Sequence, residues 1–285
     1  MLERASAAMT LAPKLAAHGA EIPAIGFGTS GLGDVRAEHI ATALQAGYRH
    51  IDTARKYGTE RVVGEGMRAS GVPRTDIFLC TKVSHEHLHA ADFARSVDAS
   101  LKALGVDYVD LLLVHWPEKN TPLAETMGAL AKAKRTGLTR HIGVANFNIA
   151  MLDEAVRLCP EPLVTLQAEC HPYLDQTKVI EACRRRGLVL TAYCPLGRGR
   201  LHGDPVLADI ARRHGKTFAQ IALRWLMQQN VIAAIPRSSN AERIAQNIDV
   251  FDFELSDDDM RRIGALKRAD GRIANPIGRA PQWDV

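Results

Sequence analysis

Four polar residues that can take part in acid–base chemistry lie at the ends of apolar, strand-like segments or in the loop that follows one. Asp52, Lys82 and His115 each end such a segment, and Tyr57 lies five residues beyond Asp52. An ionisable side chain after an apolar strand is costly to bury unless it has a partner. Where parallel strands close into a barrel, their C-terminal ends meet at one mouth. We therefore predict that these four side chains share one site.

This combination of residue types is suited to proton transfer. A lysine paired with an aspartate is relieved of part of its burial cost, and a cation beside a phenol favours the phenolate. On this argument Lys82 should lower the pKa of Tyr57 from about 10 towards neutrality, making it a general acid near pH 7. Taken singly, Lys82 is a structural ion-pair partner, His115 a strand-end histidine and Tyr57 a surface tyrosine. The four together favour catalysis.

The elements that would position these residues alternate between β and α patterns. Strands are predicted over 24–28, 48–52, 77–82, 108–115, 141–146, 165–169, 188–193 and 231–235. Amphipathic helices are predicted over 36–46, 58–70, 91–104, 122–136, 148–158, 176–186, 205–229 with a break near Gly215, 240–249, and 256–268 with Ser256 as a plausible N-cap. Such alternation indicates a parallel sheet, and eight units favour an α/β fold of the (β/α)₈ barrel type.

The chain ends add to this barrel. Residues 14–22 predict a hairpin that turns at His18-Gly19, and the helix over 256–268 with the tail after it is extra to the eight units. With no linker in the sequence, we expect one domain over 1–285, in which residues 1–10 are a frayed extension and Met9 is an alternative start to Met1.

The glycines near the N-terminus offer a second interpretation of the fold. Gly26, Gly28 and Gly31 match GxGxxG after a strand, and Asp52 follows 21 residues later, as in a dinucleotide-binding fingerprint. That fingerprint opens its helix at the glycines, whereas Gly33-Asp34 intervenes here and the helix pattern starts near residue 36. A tight strand–helix loop is the preferred interpretation.

The wider sequence resembles the aldo-keto reductase superfamily. The resemblance rests on GYRHIDTA at 47–54, YGTE at 57–60, TK at 81–82, LLVHWP at 112–117 and IPRSSN at 235–240. It implies NADPH-dependent reduction of aldehydes or ketones, with Tyr57 as proton donor, Lys82 and Asp52 tuning it, and His115 holding the carbonyl oxygen. The tail, with GR at 271–272 and APQWD at 280–284, is similar to that of bacterial members that reduce diketogluconate or methylglyoxal.

The resemblance also implies a set of cofactor contacts. Asn146 and Gln167 would bond the nicotinamide carboxamide, and Tyr193 would stack on its ring. The other implied contacts are Leu196 and Gly197 at the pyrophosphate, Arg237, Ser238, Ser239 and Arg243 at the 2′-phosphate, Gln246 and Asn247 near the adenine, and Gly28, Thr29 and Asp52. Two guanidinium groups and hydroxyls at a helix start suit a phosphate independently of the resemblance, which favours NADPH over NADH.

Several positions depart from the family pattern. Ala145, Cys194 and Gln246 stand where Ser, Ser and Glu are usual, and Arg237 replaces a Lys; these changes bear on cofactor affinity more than on its identity.

The pocket positions depart as well. Ser30 and Ser84 replace common aromatic residues, while Trp116 remains beside Tyr57 and His115 as a substrate-contacting wall. We expect a wide, hydrophilic mouth for small polar carbonyls such as 2-oxoaldehydes and keto-sugar acids.

Composition excludes several other classes. The formal charge of +4 without a dense basic tract argues against nucleic-acid binding. No apolar run approaches the roughly 20 residues of a membrane span. Five cysteines without a CxxC pair favour a reduced, cytoplasmic setting, and no apolar stripe requires assembly, so a monomer without an obligate protein partner is expected.

Two further interpretations complete the expectations. His85, His87 and His89 alternate along the chain, as metal ligands can. The preferred interpretation is a solvated loop that enters a helix capped near Asp92 and holds no metal. This loop borders the barrel mouth, where it could contact an acidic substrate. The alternative function is a catalytically silent NADP(H)-binding module, and the intact group of four argues against it.

Overall fold

Eight parallel strands form one sheet that curls into a barrel in the computed structural model, which describes residues 12–31 and 35–284. The strands run in chain order β3 to β10, each hydrogen-bonded to the next, and a parallel bridge between Ile25 and Ala234 joins the two edges. They are β3 (Phe27–Gly28), β4 (His50–Asp52), β5 (Phe78–Val83), β6 (Val109–Val114), β7 (Thr139–Ala145), β8 (Leu163–Glu169), β9 (Val189–Tyr193) and β10 (Ile232–Ala234). The predicted (β/α)₈ barrel is confirmed.

Helices connect the strands and cover the outside of the barrel. They are α1 (Ala37–Gln45), α2 (Glu60–Ser70), α3 (Ala90–Leu104), α4 (Leu123–Arg135), α5 (Ile149–Leu158), α6 (Thr177–Arg185), α7 (Pro205–His214), α8 (Phe218–Met227), α9 (Ala241–Ile248) and α10 (Asp257–Gly264). Among the described residues, no helix is long and apolar enough to cross a membrane.

The predicted N-terminal hairpin is present as β1 (Lys14–Ala17) and β2 (Ala20–Pro23). His18 and Gly19 both have positive φ, 46° and 85°, as the tightest two-residue hairpin turn requires. Ile22 belongs to the same apolar cluster as the inward-facing Leu111 and Leu113 of β6, while Leu112 and Val114 join the outer core beneath the helices. The hairpin therefore closes the N-terminal end of the barrel, opposite the polar strand ends.

Most predicted boundaries differ from the observed ones by a few residues. The long 205–229 pattern divides at Gly215, as predicted, because that residue adopts φ 63° and ends α7. Helix α10 is capped by Ser256, whose hydroxyl accepts from the Asp259 amide at 3.1 Å, but it ends at Gly264, before the predicted 268. Helix α1 starts at Ala37, so the GxGxxG glycines do not open it. The predicted frayed extension and Gly33-Asp34 lie outside the described residues.

Candidate active site

A buried ion pair lies at the C-terminal mouth of the barrel. Lys82 Nζ donates to Asp52 Oδ1 at 2.6 Å and to the Thr53 carbonyl at 2.8 Å, and the two charged side chains are 0% and 2% exposed. Strand register produces this contact: Asp52 lies opposite Cys80 on neighbouring strands, and Lys82 is two residues further on the same face. The strand-end rule thus placed both residues correctly.

Tyr57 reaches over this pair from a short 3₁₀ turn, Arg55–Tyr57, that follows β4. Gly58 ends the turn with φ 70°, a conformation that favours glycine. Lys82 Nζ lies 5.0 Å from the centre of the phenol ring, and the His115 ring meets Tyr57 edge-on at 5.4 Å. The structure therefore brings together all four residues that the sequence grouped, while their catalytic roles stay predictions.

Buried polar contacts fix the position of the loop that carries Tyr57. Glu60, at the start of α2, accepts from the Thr81 hydroxyl at 2.6 Å and is 2% exposed. The Thr59 and Thr53 hydroxyls lie 3.1 Å apart. These bonds tie the start of α2 to β5, so the position of the phenol is determined by two neighbouring strands.

Burial decides the protonation of Tyr57. Desolvation raises the pKa of the phenol, and the nearby Lys82 ammonium lowers it by less, so the pKa lies above its ordinary value. The prediction that Lys82 brings this pKa towards neutrality is therefore wrong for this structure, because removing water from the phenolate outweighs the attraction of a cation already neutralised by Asp52. Tyr57 keeps its proton at neutral pH and has one to donate.

The two neighbours of Tyr57 differ in charge: Lys82 is a cation, and His115 is neutral. Burial is the largest single influence on the pKa of Lys82 and lowers it, but the Asp52 carboxylate together with Tyr57 and Cys80 outweighs burial, so the pKa is raised and the ammonium stays charged. Burial, reinforced by the positive charge of Lys82 and Arg279, lowers the pKa of His115 well below its ordinary value. His115 is therefore a neutral imidazole that can donate one hydrogen bond to a carbonyl oxygen.

The residues predicted to hold the nicotinamide form a chain beside this group. Tyr193 Oη donates to Asn146 Oδ1 at 2.7 Å, and Asn146 Nδ2 donates to the His115 carbonyl at 2.8 Å. Asn146 has φ 63°, a left-handed conformation that asparagine tolerates. Gln167 Nε2 donates to Asp52 Oδ2 at 2.8 Å, a contact that the sequence did not suggest. Gln167 is therefore bonded directly to the ion pair, whereas the Asn146 side chain bonds Tyr193 and the His115 carbonyl.

The residues predicted to hold phosphates lie on the last two strand–helix loops. The turn after β9 has three successive positive φ angles, at Gly197, Arg198 and Gly199, so its backbone is sharply curved. Arg237 lies against Gly31, where an added Cβ would be 2.8 Å from the guanidinium carbon. A larger residue at position 31 would have to displace the flexible end of the Arg237 side chain.

Helix α9 starts beside Arg237. Its N-cap Asn240 accepts from the Arg243 amide at 2.9 Å, and the Arg243 side chain is exposed. Ser239 is exposed, Ser238 and Gln246 are partly buried, and Asn247 is 5% exposed. Cations, hydroxyls and a helix N-terminus together have the donor chemistry that a 2′-phosphate requires, so these residues fit the predicted cofactor.

The predicted substrate residues follow three strands: Ser30 comes after β3, Ser84 directly after β5 and Trp116 after β6. Trp116 is 9% exposed, Ser30 is exposed, and Ser84 is 2% exposed with its hydroxyl donating to Glu86 Oε2 at 2.9 Å. The C-terminal tail, which we define as residues 271–284, brings Trp283 edge-on to Trp116 at 6.2 Å. The sequence showed only that this tail is similar to that of bacterial family members. It gave no sign that Trp283 would lie beside Trp116.

The histidine-rich segment forms a 3₁₀ turn, His85–His87, followed directly by α3. The predicted cap near Asp92 is wrong: the N-cap is His89, and Asp92 lies inside the first turn, where it pairs with Arg95. Within residues 12–31 and 35–284, no three metal-binding side chains converge on one point.

Glu169 is a further candidate functional residue that was not predicted from the sequence, although its position at a strand end could have indicated it. Glu169 ends the apolar strand β8, as Asp52 ends β4, and it is 0% exposed. The argument used for Asp52 applies to it equally, and its partners lie more than a hundred residues away in the tail.

Comparison with known proteins agrees with this architecture. The model of the Aldo/keto reductase family matches residues 24–268. The chain belongs to the aldo/keto reductase family. This aldo/keto reductase is 40% identical over 267 residues to the methylglyoxal reductase DkgB of Escherichia coli O157:H7, covering 92% of this chain and 99% of that one.

Solved structures of the family superpose closely on the barrel. A putative 2,5-diketo-D-gluconic acid reductase B matches with a TM-score of 0.93 and 44% identity, over 96% of this chain and 98% of that one. An aldo-keto reductase of Bombyx mori, solved in complex with NADP, matches with a TM-score of 0.87 and 32% identity, over 94% and 96% of the two chains. The aldo/keto reductase described here is therefore an oxidoreductase by family.

Proposed function

We propose that this aldo/keto reductase uses NADPH to reduce aldehydes and ketones to alcohols, with Tyr57 as the general acid. One observation carries the proposal: the Lys82 ammonium, bonded to Asp52, lies 5.0 Å from the ring centre of a protonated phenol. A cation at that position stabilises negative charge on the phenol oxygen after its proton has left. The group is thus arranged to give a proton to an oxygen at the barrel mouth.

Each member of the group has a distinct task. Tyr57 protonates the carbonyl oxygen, and Lys82 stabilises the resulting phenolate. Asp52 keeps Lys82 charged and in place, and the neutral His115 orients the carbonyl by donating a hydrogen bond. A preorganised site of this kind lowers the barrier because its dipoles need not reorganise as charge develops.

The chain also supplies contacts for NADPH, which when bound provides the hydride for the carbonyl carbon. Asn146 and Gln167 would hold its carboxamide, Tyr193 its ring, and the turn at Leu196 and Gly197 its pyrophosphate. Gln167 would exchange its present partner, Asp52, for the carboxamide. The remaining contacts would come from Gly28, Thr29, Asp52, Ser238, Ser239, Gln246 and Asn247.

The choice of NADPH over NADH rests on Arg237 and Arg243 at the start of α9. Replacing Arg243 by alanine should raise the Kd for NADPH by about tenfold, since a charge-assisted hydrogen bond contributes about 1.5–3 kcal/mol, and should leave the Kd for NADH nearly unchanged. Fluorescence titration with both cofactors measures this. Exposed Arg212 on α7 is a control, and equal weakening of both cofactors would contradict the assignment.

The substrates we propose are small polar carbonyls such as 2-oxoaldehydes and keto-sugar acids. Ser30 leaves its part of the rim hydrophilic, whereas the predicted substrate contact of Ser84 is wrong, because Ser84 is buried with its hydroxyl bonded to Glu86. The related proteins are named as methylglyoxal and diketogluconic acid reductases. A strong preference for bulky apolar ketones would contradict this proposal.

We further propose a single-domain, cytoplasmic monomer. All five cysteines are free, and among the described residues only Val156 and Ile277 are large apolar side chains with high exposure. Neither observation requires an oxidising compartment or a partner. Analytical ultracentrifugation would test the monomer, and a dimer at micromolar concentration would contradict it.

The first experiment follows NADPH absorbance with methylglyoxal, a diketogluconate, an aromatic aldehyde and a sugar, using wild type and Tyr57→Phe. We expect Tyr57→Phe to bind NADPH as wild type does and to lose at least about a hundredfold in kcat, the usual contribution of a positioned acid. Tyr108→Phe is the matched control, because Tyr108 lies at the other end of the barrel against Arg74 and Arg140. NADPH binding without turnover by the wild type would favour the silent binding module.

A further inference from the structure

The C-terminal tail is pressed onto the loop that follows β8. A Cβ added to Gly271 would lie 1.9 Å from the Tyr173 carbonyl oxygen, so only glycine allows this approach. The Arg268 amide donates to the same oxygen at 3.0 Å, and the Arg268 guanidinium lies 3.6 Å from the Tyr173 ring centre. The start of the tail therefore has one defined position.

Glu169 holds the next part of the tail. Its Oε1 accepts from the Ile273 amide and its Oε2 from the Ala274 amide, both at 2.7 Å, and His171 Nε2 lies 2.9 Å from Oε1. Glu169 and His171 are both 0% exposed. Two amides on one buried carboxylate are a strong and directional anchor, because hydrogen bonds to an ionised acceptor are about twice as strong as neutral ones.

The far end of the tail is fixed to the start of α5. Asn148 Nδ2 donates to the Gln282 carbonyl at 2.9 Å, and Asp284 Oδ2 accepts from the Ile149 amide at 2.8 Å. Trp283 lies between Gln282 and Asp284, and its Nε1 donates back to Asn275 Oδ1 at 2.9 Å, next to the amides that Glu169 holds. Its indole meets Trp116, the residue next to His115, edge-on. The tail thus carries one aromatic ring to the rim of the site.

We propose that Glu169 is a positioning residue for the substrate: by holding the amides of Ile273 and Ala274, it sets Trp283 against Trp116 and so fixes the apolar wall beside His115. The inference rests on the proposed function. The position demands a carboxylate, because two N–H groups converge on it and both need an acceptor. A glutamine would present its NH₂ to one of them and leave that amide without a partner.

The test compares wild type, Glu169→Gln, Trp283→Ala and the double variant. For an aromatic aldehyde, Glu169→Gln should raise KM by about tenfold, the equivalent of about 1.4 kcal/mol, while kcat and the Kd for NADPH change by less than about threefold. Trp283→Ala should raise KM as well. Because Glu169 acts through Trp283, adding Glu169→Gln to Trp283→Ala should change KM no further.

A second readout does not depend on turnover. Limited trypsin digestion after Arg272 and Arg279, followed by intact-mass spectrometry, reports how firmly the tail is held, and Glu169→Gln should be cut at least about fivefold faster. Asp259→Asn is the matched control: Asp259 is a carboxylate in α10, 1% exposed, whose partners are Arg213 and His214. It should lower stability without changing KM or tail cleavage. If Glu169→Gln does not fold, Glu169→Asp keeps the charge and is too short to reach both amides.

The outcomes separate the two proposals. No turnover by the wild type would overturn the proposed function, and with it the substrate role of Glu169. Wild-type turnover with an unchanged KM or an unchanged cleavage rate in Glu169→Gln would overturn the positioning role alone. An equal rise in KM in the wild-type and Trp283→Ala backgrounds would also overturn it, because Glu169 would then act by another route.

Discussion

At the scale of single residues, the site depends on which of two opposing electrostatic effects is larger. Lys82 is close enough to Tyr57 to favour the phenolate, yet burial raises the pKa of the phenol above its ordinary value. The lysine is already bonded to Asp52, so much of its field is cancelled. In the mechanism we propose, the pair therefore stabilises the phenolate formed when the proton leaves, more than it alters the resting phenol.

This balance can be measured directly in the protein without cofactor. Ultraviolet difference titration of wild type against Tyr57→Phe should show no tyrosinate from Tyr57 below its ordinary pKa of 10.0. Tyr108→Phe is the control, because Tyr108 lies at the opposite end of the barrel against Arg74 and Arg140. A tyrosinate signal near neutral pH that disappears in Tyr57→Phe would show that the cation outweighs burial.

The ion pair itself can be tested through stability. Lys82→Met should lower the free energy of unfolding by about 3–5 kcal/mol, because it leaves the Asp52 carboxylate buried without its cation. Adding Asp52→Asn should restore part of that loss, since no buried charge then remains. Urea unfolding measures both variants, and equal losses in the single and double variants would contradict the explanation.

At the scale of elements, two glycines inside helices allow the effect of close packing on stability to be measured apart from the effect of helix propensity. A Cβ on Gly64 in α2 would lie 2.1 Å from the Leu104 carbonyl at the end of α3, whereas Gly128 in α4 has no such neighbour within 4 Å. Gly64→Ala should cost about 1–3 kcal/mol through overpacking. Gly128→Ala should stabilise by about 0.5–1 kcal/mol through backbone entropy. Thermal unfolding compares them, and a Gly64→Ala variant as stable as wild type would refute the close approach.

Elements also explain why the mouth of the barrel gathers polar groups. The strands deliver inward-facing residues to the same end, so Asp52, Lys82 and Gln167 meet although they come from distant parts of the chain. The loops then add Tyr57 and the tail.

At the scale of the whole molecule, buried histidines link stability to pH. Burial lowers the pKa of His50 and His115 below the ordinary 6.5, so below pH 6.5 the unfolded chain takes up protons that the folded rings do not. Each ring should therefore lower the free energy of unfolding by up to about 1.4 kcal/mol for each pH unit below 6.5, and should have no effect above pH 6.5.

Urea unfolding at pH 7.5 and pH 5.5 tests this linkage. The wild type should lose stability at the lower pH, and His50→Leu, which removes a titrating ring 0% exposed in the barrel, should lose less. His202→Leu is a control on an exposed histidine. An equal loss in His50→Leu and wild type would show that His50 does not contribute to the pH dependence of stability in this range.

The sequence alone determined the order of elements, the barrel class and the residues at the strand ends. Alternating apolar segments specify strand and helix locally, and a parallel barrel has only one mouth where Asp52, Lys82 and His115 can meet. Turn residues such as His18-Gly19 and Gly215 carried their own conformational signal, because few residue types adopt positive φ at low cost.

The tertiary structure decided what depends on distance and exclusion of water. The raised pKa of Tyr57 follows from burial, which no local pattern measures. The bond from Gln167 to Asp52 and the hold of Glu169 on the tail join residues more than a hundred positions apart. Such pairs are set by how the chain closes on itself, and so they become visible only when the fold has brought them into contact.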